Sequence, residues 1–173
     1  AAISAGARMV NDINALQDAA TMREVVASNV AVCLMHKQGS PETMQQQPDY
    51  KNVVSEVGEF LRVRISEAEA AGIKRERIVI DPGFGFGKTL AHNLALLREL
   101  KAMTGMGVPV LAGLSRKSML GMVTGREVGE RMTSSVVAAL IAVQQGASIV
   151  RVHDVRETVD ALKIWSVISE TQL

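Results

Sequence analysis

The stretch Ile78–Lys88, IVIDPGFGFGK, decides the fold. Its first three residues, Ile78, Val79 and Ile80, are β-branched and apolar, as expected of a strand buried on both faces. Asp81 ends the apolar run. Pro82 then takes the chain out of the strand, because proline offers no N–H to a ladder and holds the residue before it extended. Gly83, Gly85 and Gly87 alternate with Phe84 and Phe86. Such glycines allow positive φ and close approach of the backbone to a ligand, whereas the phenylalanines plug a core at least as readily as they stack on one. The spacing is neither a Walker A motif nor a dinucleotide fingerprint. A buried strand running into a glycine-rich loop that forms part of a small-molecule site is the reading that remains.

The same grammar recurs on both sides of this stretch. Upstream, Met9–Ile13 predicts a short strand carrying Asn11 and Asp12, Thr21–Ser28 a helix, and Val30–His36 a second strand. The loop Lys37–Pro48 is polar and irregular. From Tyr50 to Ala71, Val53, Val57, Leu61 (or Phe60), Ile65 and Ala68 recur at helical spacing, and Gly72 supplies the stop. Downstream, the pattern predicts a helix over Asn93–Met103 with Leu94, Leu97 and Leu100 on one side, and a strand over Val108–Leu114. A helix follows over about 130–145, packing through Met132, Val136, Ala139, Leu140 and Val143. The strand Ile149–His153 and the helix Val155–Ser169 complete the chain, the latter packing through Val159, Leu162 and Val167.

Five apolar strands alternating with helices are the mark of parallel βα units. The polar residues gather at the C-terminal end of every strand: Asn11 and Asp12, His36, Asp81, Ser115 to Lys117, then Arg151, His153 and Asp154. A doubly wound open sheet binds ligands mainly at one switch point, whereas a (β/α)8 barrel assembles its site from the ends of many strands. The expectation is therefore an α/β fold, the C-terminal part of a TIM barrel, forming one domain over residues 1–173. The chain opens AAISAGARMV, which reads as the last turn of a helix closing at Gly6. It is expected to be a piece of a longer protein, and an opened barrel with exposed strand edges is expected to be unstable or inactive by itself.

Composition narrows the function. The chain has 173 residues, a formal net charge of +1 and only 3% aromatic residues, which removes the electrostatic and stacking grounds for nucleic-acid binding. No apolar run is long enough to span a bilayer. The single Cys33 rules out an internal disulfide, suits the cytoplasm, and reads as a small buried hydrophobe. His36 and His92 have no metal-ligand spacing and read as structural.

Other residue sets carry chemistry. An ionised Asp81 is acceptor-only and matches the adjacent N–H donors of an aminopyrimidine-like edge, or else it caps its own loop. Ser115-Arg116-Lys117-Ser118, with a short helix starting at Ser118, makes an anion site. Arg151 and His153 alternate along the last strand and so share a side. Near a barrel rim they offer two donors to phosphate. Asn11 is equally a heterocycle contact or an Asx turn, and Met35 more often fills a core than lines a pocket.

Together, VNDI (Val10–Ile13), CLMH with Gln38 and Gly39, DPGFGFGK (Asp81–Lys88), GLSRKSMLG (Gly113–Gly121) and IVRVHDV (Ile149–Val155) resemble the dihydropteroate synthase family, in family order over essentially the whole chain. The resemblance implies a transferase of folate biosynthesis, the sulfonamide target. It would join 6-hydroxymethyl-7,8-dihydropterin diphosphate to p-aminobenzoate, releasing pyrophosphate. It implies that Asn11 and Asp81 hydrogen-bond the pterin, that Lys117 contacts it, and that Ile13, Met35 and Phe86 line the slot beside Gly85. Arg151 and His153 would hold the diphosphate. Ser118, with the backbone around it, would meet the p-aminobenzoate carboxylate, and Gly113 and Ser115 would also bind substrate. Asp81, Lys117, Arg151 and His153 are the expected catalytic residues. Mg2+ is implied as cofactor, with its ligand outside this chain, and a homodimer is implied for the full-length protein. A pterin-binding domain of a folate-dependent methyltransferase, or a non-catalytic pterin-binding module, is the alternative.

Overall fold

A computed structural model describes residues 2–39 and 48–170. The middle of the polar loop predicted over Lys37–Pro48 lies outside them. Five strands form where the apolar runs lie: β1 (Met9–Asp12), β2 (Ala31–Met35), β3 (Ile78–Asp81), β4 (Leu111–Ala112) and β5 (Ile149–Val150). All pairings are parallel. β1, β2 and β3 make one sheet and β4 and β5 another, and the two are joined by an Ile80–Val110 bridge in which Ile80 N–H donates to the Pro109 carbonyl at 3.0 Å. Spatial order thus follows chain order from β1 to β5. A doubly wound sheet reverses direction at its switch point, and here no reversal occurs. The winding is that of a (β/α)8 barrel, of which these five units form part.

The helices are α1 (Ala19–Ala27), α2 (Val53–Ala70), α3 (Leu90–Arg98), α4 (Lys101–Thr104), α5 (Ser118–Thr124), α6 (Met132–Gln144) and α7 (Val155–Glu170). Caps explain several starts: Asp18 accepts the Thr21 N–H, Asn52 the Ser55 N–H, and Thr89 with His92 forms a capping box on α3. Before β1, Ala7 N–H bonds the Ala2 carbonyl and Gly6 N–H the Ile3 carbonyl, with Gly6 at φ +99°, so a Schellman turn forms there as read.

Strand parity separates two cores. Val32, Leu34, Ile78, Ile80, Val110 and Ala112 pack outward against helical residues such as Val57, Leu61, Ile65, Leu96 and Leu100. Cys33, Val79 and Leu111 pack with Ile149 on the other, inner face. Because successive residues of a strand alternate, the inner face belongs to odd-numbered positions on all of these strands.

Several boundaries and faces differ from the sequence reading. The fourth and fifth strands are two residues each, not seven and five. Pro109 cannot donate to a ladder, and beyond Ala112 only one further bond, Arg151 N–H to the Ala112 carbonyl, continues the pairing. Arg151 and His153 therefore lie past the strand. The helix predicted over Asn93–Met103 starts earlier, at the Thr89 cap, and breaks at Glu99, where i→i+3 bonds from Ala102 to Glu99 and Met103 to Leu100 tighten the chain. Leu94 faces solvent and Leu96 takes its place in the core. On α6 the buried face is Ser135, Ala138, Ala139 and Ala142, so Met132 is exposed and small side chains let the helix approach the sheet. On α7, Val159 and Val167 are exposed while Thr158 is buried.

Candidate active site

On the inner face, Asn11 pairs in register with Cys33, Cys33 with Val79, and Met35 with Asp81. Asp81 is 1% exposed and Met35 2%. Beyond the strand ends, at the C-terminal rim, Arg151 stays close enough for its charge to act on Cys33 and Asp81, and Ser115 holds His153. Gly113 and Arg151 are neighbours there: a Cβ on Gly113 would lie 3.1 Å from Arg151 Nη2. The inner face thus gathers Asn11, Met35 and Asp81, with Arg151 close beside Asp81. Asn11, Ile13, Arg151 and His153 are exposed to solvent.

The loop after β3 is held by its own backbone and by one buried cation. Asp81 Oδ1 accepts the Gly83 N–H at 2.7 Å, the loop-capping role. Gly83, Gly85 and Gly87 have φ of +69°, +78° and +62°. A Cβ on Gly83 would collide with the His36 carbonyl, and one on Gly87 with that of Gln38. Two of the three glycines are therefore required by close contact with the chain leaving β2, not by space for a ligand. Gly85 differs: its missing Cβ faces the Lys117 stem at 3.3 Å. Phe84 is fully buried and Phe86 half-buried, so the two phenylalanines divide the roles of plug and exposed ring. Lys88, only 3% exposed, donates to the Gly83 carbonyl at 2.9 Å and the Phe86 carbonyl at 3.0 Å, and meets His36 Nδ1 at 3.0 Å. Burial, then the Lys88 charge, pushes His36 down to about 3, so the imidazole is neutral, and its Nδ1 is the acceptor when Lys88 is an ammonium.

Lys117 reaches over this loop, donating to the Phe84 carbonyl with its ammonium 5.0 Å from the Phe86 ring centre. That places a cation on an aromatic face. Burial lowers Lys117 to about 8 and Lys88 to about 7, while Asp81 pulls each of them up. Burial pushes the Asp81 carboxyl up, against the pull of the Gly83 N–H, Lys117, Arg151 and Lys88. Arg116, at φ +58°, turns away from this centre and forms a two-point ion pair with Asp154, at 2.7 and 3.2 Å. Its N–H donates to Ser135 Oγ and its carbonyl accepts from Arg131. The Ser115 hydroxyl meets His153 Nδ1 at 2.9 Å and accepts the His153 N–H at 3.2 Å. Ser115 thus holds the imidazole through Nδ1 and leaves Nε2 outside that contact. Ser118 is exposed at the start of α5, beside a cavity of about 330 Å³ also lined by Pro48, Lys88, Thr89, Asn93 and Met122.

Three structural devices escaped sequence reading. Asp12 closes the turn after β1, accepting from Asn14 and Leu16, where Ala15 and Leu16 hold φ of +50° and +57°. Arg64 on α2 clamps that turn by donating to the Ala15 and Leu16 carbonyls at 2.7 and 2.8 Å. The third is the Lys88 tripod. A lysine after a glycine loop is visible in sequence, but its burial is not.

The donor set does not suit a divalent metal. No group of three His, Cys, Asp or Glu side chains converges among the described residues, and Asp81 has three cations for neighbours. Cys33 is buried and its thiol pushed up, first by burial and then by Asp81, which makes it inert. Among the described residues no helix is long and apolar enough to cross a membrane.

Comparison with known proteins places this geometry. Dihydropteroate synthase of Haemophilus influenzae is 50% identical over 164 residues, covering 95% of this chain and 60% of the relative. The crystal structure of dihydropteroate synthase from Stenotrophomonas maltophilia with active-site-bound imidazole superposes with a TM-score of 0.96 at 51% identity, covering 99% of this chain and 65% of that one. The Xanthomonas albilineans enzyme in complex with 7,8-dihydropteroate gives 0.92 at 47%, covering 98% and 62%. The chain thus spans 56–60% of the length of the dihydropteroate synthases of Haemophilus influenzae, Escherichia coli and Neisseria meningitidis that it matches. The family described as pterin binding enzyme matches residues 1–153, and the chain belongs to that family of pterin-binding enzymes.

Proposed function

We propose that the full-length protein carrying this chain is a dihydropteroate synthase, joining 6-hydroxymethyl-7,8-dihydropterin diphosphate to p-aminobenzoate. The observation that carries the reading is the juxtaposition, at the C-terminal end of β3, of a buried carboxylate, Asp81, with the cations Lys117 and Arg151, whose charges both act on it. A pterin edge presents adjacent N–H donors that suit the carboxylate, and a departing diphosphate suits the guanidinium. Asn11 adds a donor and acceptor on the inner sheet face, and Ile13, Met35 and Phe86 supply apolar walls.

In the proposed reaction the bond between the exocyclic carbon and the diphosphate oxygen breaks, and its electron pair leaves with the diphosphate. Arg151 and His153 Nε2 stabilise that charge where it develops, and Asp81 stabilises the cationic pterin. The amine of p-aminobenzoate then attacks the carbon and loses a proton to solvent or diphosphate. Ser118, beside the cavity at the start of α5, would take the p-aminobenzoate carboxylate, and sulfonamides would compete there. An aniline attacking a carbocation needs no strong base, which fits the absence of a nucleophile–base pair from this reading. Mg2+ belongs to the proposal only by resemblance. We assign it to no residue of this chain, since the described residues do not fit it, and no step above depends on it.

The relatives favour the synthase over a methyltransferase domain or a non-catalytic module. We place the protein in the cytoplasm, consistent with its single buried thiol. We also infer a homodimer, supported by an apolar groove of about 750 Å³ between α3, α5 and α6, lined by Leu97, Val123, Val137 and Ile141. Incubating the full-length protein with both substrates should yield 7,8-dihydropteroate and pyrophosphate in equal amounts. Neither product appearing would refute the reading.

A further inference from the structure

We propose that Lys88 is a positioning residue for the pterin half of the site, locking the Gly83–Gly87 loop so that Asp81 and Phe86 present to the ring. This rests on the synthase reading and deepens it.

Three observations carry it. First, an ammonium has three N–H donors, and Lys88 has three acceptors at 2.9 to 3.0 Å: the Gly83 and Phe86 carbonyls and His36 Nδ1. These acceptors come from both ends of the glycine loop and from the residue after β2, so one side chain ties the β2 and β3 exits together. Second, burying a lysine without full compensation is costly, and Lys88 is nearly inaccessible. A methionine would fill the same space without that cost, so the amine, through its three contacts, serves a purpose other than packing. Third, the tethered atoms adjoin the proposed ligand contacts. Gly83 N–H bonds Asp81, and the Phe86 ring carries Lys117. The backbone of a loop with three left-handed glycines has many alternative conformations, and the tripod selects one. His36 completes it, with its ring held edge-on against Phe60 at 4.9 Å.

The tripod touches neither Arg151 nor His153, so its loss should damage pterin recognition and spare diphosphate recognition. The test is calorimetry on the full-length protein and its Lys88→Met variant, at a temperature where both are folded by circular dichroism, with pterin diphosphate and inorganic pyrophosphate as probes. The expected result is a loss of about ten-fold or more in pterin diphosphate affinity, with pyrophosphate affinity changed by less than about two-fold. Equal loss for both probes, as general loosening would give, overturns the inference. So does an unchanged pterin affinity. Should Lys88→Met not fold, His36→Leu removes one acceptor of three and should give the same selectivity at about three-fold; no selectivity in that variant overturns the inference. A wild type that binds no pterin overturns the synthase reading and this inference together, whereas a variant that binds pterin as well as a competent wild type overturns this inference alone.

Discussion

Gly83 and Gly85 have nearly the same backbone conformation, and alanine at the two positions should nevertheless have different consequences. Both substitutions place an L-residue at positive φ, +69° and +78°, which costs about 1–2 kcal/mol. At Gly83 the new methyl also collides with the His36 carbonyl, a backbone atom fixed by His36 N–H bonding to Asp81. Overpacking of this kind adds about 1–3 kcal/mol. Gly83→Ala should therefore cost about 3 kcal/mol or more, a fall of roughly 6–12 °C in Tm for a protein of this size. At Gly85 the methyl meets only the Lys117 stem at 3.3 Å, and a lysine stem can move. Gly85→Ala should cost about 1–2 kcal/mol in stability. Its larger effect should be on turnover, because displacing Lys117 takes the cation off Phe86. Thermal and urea unfolding, with steady-state kinetics on the same samples, separate the two. Equal destabilisation by both alanines, or a Gly83→Ala protein within about 0.5 kcal/mol of wild type, would refute the reasoning.

Three further outcomes follow from particular contacts. Arg64→Met leaves the Ala15 and Leu16 carbonyls without their buried donor and should cost about 2–4 kcal/mol, read by urea unfolding; a loss below 1 kcal/mol, about that of an exposed ion pair, would contradict the clamp. His36 is held near 3, against an ordinary value of 6.5, so the unfolded chain takes up its proton first as the pH falls. The stability it contributes is complete above about pH 6.5 and is lost toward pH 3, roughly 5 kcal/mol at most. His36→Leu should flatten that acid limb between pH 7 and 4, and an unchanged slope would exclude His36 as its cause. Arg116→Gln breaks the partly exposed pair with Asp154, so Tm should hardly move, while KM for p-aminobenzoate should rise several-fold as the Lys117–Ser118 segment loses its anchor. A large Tm change with unaltered KM would reverse that assignment.

Much of the site was legible because strand periodicity is simple. Asn11, Met35 and Asp81 lie on one face since alternation along parallel strands carries across the sheet, and apolar runs with polar ends mark where each strand stops. The glycine motif was legible as a motif but not in its cause: Gly83 and Gly87 answer to the backbone of His36 and Gln38, contacts across the β2 exit that no local pattern encodes. Helix faces were misread where packing favoured small residues, as at Ser135, Ala138 and Ala142, since hydrophobicity ranks Met132 above all of them. Arg64 lies 49 residues from the turn it holds, and nothing in the sequence distinguishes it from the exposed arginine at position 62. The buried Lys88 is the same case. Long-range hydrogen bonds to backbone carbonyls leave no periodic trace.

The central question is whether the pocket around Asp81 holds a pterin with its diphosphate. Calorimetry on the full-length protein, adding a sulfonamide before and after pyrophosphate or pterin diphosphate, measures this directly. Sulfonamide should bind only once the pterin diphosphate or pyrophosphate is in place, as expected if the proposed p-aminobenzoate subsite at Ser118 is completed by the bound diphosphate. Sulfonamide binding that is independent of both, or tight binding of methyltetrahydrofolate instead, would contradict it.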